Sequence, residues 1–570
     1  MRILFLTRSF NSLTQRLYLD LTEAGHEVTV EFDIADSVAV EAVALWRPAL
    51  VVAPFLKRAI PEAVWRALPC LVVHPGVVGD RGPSALDWAV LDGEPTWGVT
   101  VLQANAEMDA GPVWASATFP MREASKSSLY RHEVTEAASR AVLAAVAHFE
   151  RHGAVPPPAP PPDARGRWRD AMTQADRRID WARDGTRTVL RKIRAADGVP
   201  GVLDALFGVP CHLYDAHDAS AEPGVAGAAP GEVLARRGYA LLRATVDGAV
   251  WIGHVRRTDV DGGFKLPAAL AFAREAAALP GRELALDAPP EAGWREIRYE
   301  RVGEHVGVLH FAFYNGAMST AQCRRLLAAL QFALAQPTRV LVLTGGPDFW
   351  SNGIHLNVIE AADSPADESW RNIEAIDDVA QALIETTDRL VVAALQGNAG
   401  AGGAYLALAA SHVWARHGVV LNPHYKNMGN LYGSEYWTYL LPRRLKTGTP
   451  ADVMQRRLPL SAAQGQRLGL VDEVFGHTPA DFLAEAHARA AALAASPEWP
   501  ALVEARRRRR ADDEAAKPLA AYRAEELARM RRNFYGFDTS YHVARSNFVR
   551  RVAPSWTPRH LAIHRTGPAR

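Results

Sequence analysis

Cysteine is almost missing: the 570 residues contain three, Cys70, Cys211 and Cys323, far apart and without CxxC spacing. That excludes a disulfide framework and a thiolate metal centre, and no metal is expected. No run of about eighteen apolar residues occurs, so no membrane-spanning helix is expected. The opening MRILFLTRSFNS is apolar for only one strand's length and lacks a small-residue cleavage site; no secretory signal is expected, and the cytoplasm is the expected compartment. Excess charge is lacking too. Lys plus Arg number 64 and Asp plus Glu 63, a formal net charge of +1, so neither nucleic acid nor a membrane surface is expected as a partner. Small organic substrates fit this balance better. No fixed-period repeat is present, and the turn after the first apolar run reads RSFNSLTQR, not the GxGxxG of dinucleotide sites.

What is present is length enough for about three or four domains. Short apolar runs at Met1–Thr7, Val28–Phe32, Leu50–Pro54, Cys70–His74 and Val99–Gln103 alternate with helical patterns. Such alternation predicts a mostly parallel sheet with helices on its faces. VPPPAPPP, 155–162, cannot continue a helix and marks a semi-rigid linker; Pro289 and Pro290 mark a second boundary. The divisions expected are 1–160, 166–285, 293–480 and a helical segment 481–570, an α/β multidomain chain.

The stretch richest in chemistry is VHPGVVGDRGPSALDWAVLDGEPTWGVTVLQANAEMDAG. It closes a strand with His74 and carries Asp109 after the next strand. An imidazole and a carboxylate meeting at strand ends can polarise an acyl carbonyl and steady the charge that develops on it. The order of histidine, RGPS turn, helix and DAG resembles the folate-dependent formyltransferases, whose pattern is N-x-H, R-G-x-x-P, helix, D-x-G. The resemblance implies a Rossmann-like catalytic domain using 10-formyltetrahydrofolate, with His74 and Asp109 in the catalytic places. Val72 stands where that family has its asparagine, so another donor, Gln103 or Asn105, is expected to fill in, or the acceptor differs. Arg8, Asn11 and Gln15, at and after the end of the first strand, are candidate cofactor contacts, because α/β sheets bind ligands at strand carboxyl ends. IDW, IRA and PG between Ile179 and Gly201 look like the OB-like β-barrel subdomain of the same family.

From about Arg295 the pattern restarts. TGGPDFWSNGIHL and QGNAGAGGAYLALA together resemble the crotonase (enoyl-CoA hydratase/isomerase) superfamily over about 180 residues. Glycines at 400, 402 and 403 suit close backbone approach to a ligand at a helix amino end. The resemblance assigns the oxyanion-holding N–H groups to Ile354 and Gly402. It also places Tyr405 and Tyr425 where a hydratase has its two glutamates, so enoyl-CoA hydration is not expected. Phenols, with an ordinary pKa near 10, donate protons more readily than they activate water. His355 and Glu435 are further proton-transfer candidates.

The two modules in one chain, with FNSLTQRLYLDL and RKIRAADGVPGV, resemble a family of [NiFe]-hydrogenase maturation factors along nearly the whole length. That resemblance implies formyl transfer from 10-formyltetrahydrofolate to coenzyme A, then release of carbon monoxide from formyl-CoA. It also implies partners among the hydrogenase large subunit and its maturation proteins. Arg8, Arg131, Arg194 and Arg545 are candidate clamps for coenzyme A phosphates. Two other readings remain: a formyltransferase for an amine acceptor with an accessory acyl-CoA enzyme, or a folate- and coenzyme-A-binding scaffold without chemistry. The run Arg506–Arg510 reads as a solvated helix face, since acidic residues follow at once. FDTSYHVARSNFVRRV is expected to fold back over one of the sites.

Overall fold

The structure is a computed structural model that describes residues 1–566. The first sheet is built from β1 (Arg2–Thr7), β2 (Glu27–Phe32), β3 (Leu50–Ala53), β4 (Cys70–His74), β5 (Thr96–Gln103) and β6 (Val113–Pro120). Their spatial order is β2-β1-β3-β4-β5-β6. The first four run parallel, as the near-continuous Val, Ile and Leu runs require of strands covered on both faces. β5 and β6 join antiparallel. β6 has no counterpart among the apolar runs because it is an edge strand with alternating exposure, and Ser116 and Thr118 dilute its pattern. The prolyl linker is pinned to this unit: Asp163 N–H donates to the Val78 carbonyl at 2.9 Å, and Arg81 pairs with Trp168.

In the second unit, strands Val202–Leu206, Val209–Asp218, Ala249–Arg257, Ala240–Ala244 and Val233–Arg237 lie side by side in that order, all antiparallel. The helix Thr186–Ala196 packs its apolar face, with Val189 and Ile193, into their core.

The third unit carries strands Ile297–Val302, Val306–Phe311, Val340–Thr344, Leu390–Leu395, His412–Arg416 and Glu473–Phe475 in spatial order, parallel from the second onward. Its helix Thr320–Leu334 starts at Ser319 through a capping box with Gln322. A smaller sheet begins with Phe349–Ser351 beside Asn398–Gly400. The helices Leu519–Tyr535 and Ser540–Val549 are not a separate layer, since Leu519, Met530, Phe534 and Tyr541 sit in the core of the third unit. The chain then returns to the first sheet. Val30 N–H donates to the Leu561 carbonyl at 3.0 Å, Phe32 N–H to Thr557 Oγ1 at 2.8 Å, and Arg565 pairs with Glu31 at 2.7 Å, covering the β2 edge. No helix of the described residues is long and apolar enough to cross a membrane.

Candidate active sites

His74 ends β4, almost fully buried, with its ring held between two carboxylates: Nε2 is 2.9 Å from Asp80 Oδ2 and Nδ1 is 3.5 Å from Asp109 Oδ2. Asp109 adopts φ 53°, and its Oδ2 also accepts the Gly82 N–H at 3.1 Å, which locks the turn. Gly76 is needed at its place because a Cβ there would lie 2.3 Å from His74 Nε2. Asp80 was not among the sequence candidates. It lies in the GDRGP segment, but nothing in that string says its side chain turns back onto a strand end.

The replacements expected for the asparagine at position 72 are not delivered. Gln103 pairs with Leu71 in the antiparallel ladder, so its side chain leaves the sheet on the face opposite Val72 and His74; its Oε1 accepts the Trp114 indole N–H at 3.2 Å. Asn105 is exposed and accepts the Glu107 N–H at 2.9 Å. Thr100 shares the face of His74, but its hydroxyl donates to the Gly76 carbonyl at 2.9 Å. Arg8 pairs with Asp33 at 3.4 Å. Asn11 caps the helix Ser12–Glu23 by accepting the Thr14 N–H at 3.0 Å. Gln15, one turn on, accepts from Asn422 Nδ2 at 3.0 Å and so reaches the third unit.

A cavity of about 1110 Å³ lies where the three units meet, and Gln15, Arg131, Lys265, Ile354, Gly402 and Glu435 all face it. His74 is not in its lining. Ile354 and Gly402 meet for a reason of register. Ser351 pairs with Ala399 in parallel, and each chain runs three residues further to its N–H group. Gly353 at φ 77° and Ala401 at φ 48° make the two turns, and Gly402 opens the helix Gly402–Leu408. Among the hydrogen bonds of the described residues, none is donated by the Ile354 or Gly402 backbone N–H. Two free donors at a helix amino end suit an oxygen that gains negative charge.

Glu435 faces this pair: a Cβ on Gly402 would lie 2.0 Å from Glu435 Oε1. Its other oxygen accepts the Tyr425 hydroxyl at 2.6 Å. Tyr425 lines the cavity, whereas Tyr405 does not. Tyr405 is fully buried behind Tyr425, rings stacked at 5.5 Å, and donates to the Pro423 carbonyl at 2.7 Å. Tyr405 is therefore out of reach of a ligand as proton donor, because the helix carrying it turns its ring away from Gly402. His355 accepts the Val358 N–H at 3.3 Å as a helix cap, and burial pushes its imidazole down to about 3, leaving it neutral.

Glu435 and Tyr436 both sit at φ 59°, in the left-handed region that costs side-chain-bearing residues free energy. The loop is held there by two further buried carboxylates. Asp377 Oδ1 accepts the Glu435 N–H at 2.8 Å and its Oδ2 the Ser434 hydroxyl at 2.8 Å. Glu526, from the helix Leu519–Tyr535, accepts the N–H groups of Tyr436 at 2.9 Å and Thr438 at 2.8 Å. Burial raises all three acids, Asp377 to about 7 and Glu435 and Glu526 to about 8, with mutual repulsion adding to it. Acids raised on folding bind protons more tightly folded than unfolded, so their contribution to stability is full below pH about 4.5 and is lost as pH rises towards 8. Thermal unfolding followed between pH 5 and 9 is expected to show a falling Tm, and Glu526→Gln is expected to flatten that fall.

Of the expected phosphate clamps, Arg131 faces the cavity, bonded to Asp348 at 2.9 Å and Asn315 at 2.9 Å. Arg545 and Arg194 do not. Arg545 is buried and paired with Glu360 at 2.9 Å, holding the helix Ser540–Val549 in place. Arg194 ends the helix Thr186–Ala196, where burial lowers its guanidinium pKa. Arg256, from the strand Ala249–Arg257, and Arg550 and Arg551, brought there by the segment expected to fold back, face the cavity in their stead. Lys265, also missed, faces it with Nζ 3.8 Å from the Tyr214 ring and 2.6 Å from the Tyr314 hydroxyl; burial lowers it to about 8.

Residues 3–146 match the formyl transferase family, 171–261 the formyl transferase C-terminal domain, and 312–557 the enoyl-CoA hydratase/isomerase family. Across 99% of the chain and 97% of its own length, hydrogenase maturation factor HoxX of Bradyrhizobium diazoefficiens is 59% identical. The chain belongs to the HypX/HoxX family of hydrogenase maturation factors. A crystal structure of HypX from Aquifex aeolicus in complex with tetrahydrofolic acid superposes at TM-score 0.95, with 48% identity and 99% of each chain covered. Methionyl-tRNA formyltransferase of Roseiflexus is 30% identical over 34% of the chain and 59% of its own length. The HypX/HoxX architecture is thus a formyltransferase and a crotonase unit sharing one chain, α/β in class.

Proposed function

We propose that the chain moves a formyl group from 10-formyltetrahydrofolate to the thiol of coenzyme A at His74, and that the crotonase unit splits the formyl-CoA into carbon monoxide and coenzyme A. The observation that carries this reading is the Tyr425–Glu435 pair set against the two free N–H groups of Ile354 and Gly402. In the first step His74, oriented by Asp80 and Asp109, is placed to receive the thiol proton while sulfur attacks the formyl carbon and the folate nitrogen leaves with a proton. In the second, Ile354 and Gly402 hold the thioester oxygen. Glu435 as carboxylate takes the formyl proton; the C–H pair becomes the carbon lone pair of carbon monoxide, the C–S pair leaves on sulfur, and the proton passes from Glu435 to the thiolate. An acid raised to about 8 exchanges that proton readily near neutrality. Arg131, Arg256, Arg550 and Arg551 surround the place for the coenzyme's phosphates. The tetrahydrofolic acid complex of the Aquifex protein supports the folate half.

Purified protein mixed with 10-formyltetrahydrofolate and coenzyme A is expected to release carbon monoxide, read by the haemoglobin spectral shift, only when both compounds are present. Release is expected to fall sharply in His74→Ala and Tyr425→Phe and to stay within about threefold in Tyr405→Phe, whose hydroxyl meets only the Pro423 carbonyl and the Met454 sulfur. Gas released at full rate without coenzyme A overturns the reading.

A further inference from the structure

The five arginines 506–510 divide between two faces of the helix Trp499–Ala516. Arg507 and Arg508 turn outward and pair with Glu504 at 3.1 and 3.0 Å. Arg506, Arg509 and Arg510, with Asp513, follow i, i+3, i+4, i+7 spacing and line a second cleft of about 410 Å³. Arg443, Arg444 and Lys446 line it from the end of the helix Trp437–Arg444 and the turn beyond. It shares no lining residue with the large cavity.

Six cations therefore meet there, and the local carboxylates satisfy only half of them. Asp513 takes Arg443 in a two-pronged bond, both distances 2.9 Å; Asp472 takes Arg444 at 2.8 Å; Glu514 takes Arg510. Arg506 bonds only to the carbonyls of Thr386 at 2.8 Å and Leu383 at 3.0 Å, and among the described residues neither it, Arg509 nor Lys446 has a carboxylate partner. Burial and the neighbouring Arg444 push Arg506 down to about 10, the signature of a cation held near another without an anion between them. Half-buried Arg506 and the exposed Arg509 and Lys446 thus leave positive charge in the cleft that no side-chain carboxylate offsets.

We propose that this cleft binds a phosphorylated small molecule through Arg506, Arg509 and Lys446, at a site separate from the large cavity. Phosphate is the matching chemistry because it is compact, multiply charged and accepts the planar guanidinium fork. A cleft of this volume admits a small ligand rather than a polymer. The C-terminal ends of the helices Pro365–Glu385 and Gly402–Leu408 form its floor. A bound ligand there is placed to stiffen both helices that carry the second active site.

The test is calorimetric titration of the full-length protein with pyrophosphate at low ionic strength. Wild type is expected to bind with submillimolar affinity. The double variant Lys446→Ala/Arg509→Ala, two exposed side chains whose loss leaves the core intact, is expected to weaken binding at least about tenfold. The control double variant Arg507→Ala/Arg508→Ala, on the outward face of the same helix, is expected to stay within about twofold. No binding by wild type, retention by the cleft variant, or equal weakening in both variants overturns the proposal, the last because it reports general charge attraction.

Discussion

Glu435→Gln is expected to lower carbon monoxide release from formyl-CoA by about a thousandfold, the range spanned by loss of a positioned acid or base. Glutamine keeps the shape and the bond to Tyr425 but cannot take a proton from the formyl carbon. Deformylation of 10-formyltetrahydrofolate in a single turnover is expected to continue, because Glu435 belongs to the crotonase unit and His74 does not line its cavity. The parent enzyme adds a pH signature. With Glu435 raised to about 8, the carboxylate fraction grows with pH below that value, so release from formyl-CoA is expected to climb about tenfold per pH unit and level off above it. A rate that is flat from pH 6 to 9, or a glutamine variant at full rate, removes Glu435 from the reaction.

His74→Ala is expected to reduce formyl transfer by about a hundredfold to ten-thousandfold. Formyl-CoA supplied directly is expected to be split at the normal rate. That contrast separates the two sites more cleanly than either activity alone. Asp80→Asn is expected to damage the same first step, since Asp80 Oδ2 stands 2.9 Å from the ring and is the closer of its two carboxylates. Loss of both activities in His74→Ala, with the fold intact by circular dichroism, would mean that the two reactions share one site.

Much of this was legible because local chemistry and local structure coincide. His74 and Asp109 bracket one strand–helix–strand passage, and the glycines around Gly402 state their backbone role in a few letters. The candidate oxyanion pair, Ile354 and Gly402, was readable as motif. Why it closes is a matter of register, Ser351 against Ala399, which no single segment contains. Gln103 misleads for the same reason. One residue's shift along a strand moves a side chain to the other face, and only the pairing with Leu71 settles which face that is.

From the sequence alone came the two modules and their order, and, as candidates, the prolyl boundary, the two tyrosines in the places of a hydratase's glutamates and the histidine His74. These are encoded in contiguous strings whose side-chain types and spacing fix local geometry. Only the tertiary structure decided that Tyr425 and not Tyr405 meets the cavity, and that Arg550 and Arg551 reach it while Arg545 is used up on Glu360. It also decided that Glu526, more than ninety residues on, holds the Glu435 loop. The physical reason is that burial, charge pairing and proton affinity depend on which distant segments share a small volume. Periodicity and motif describe one segment at a time.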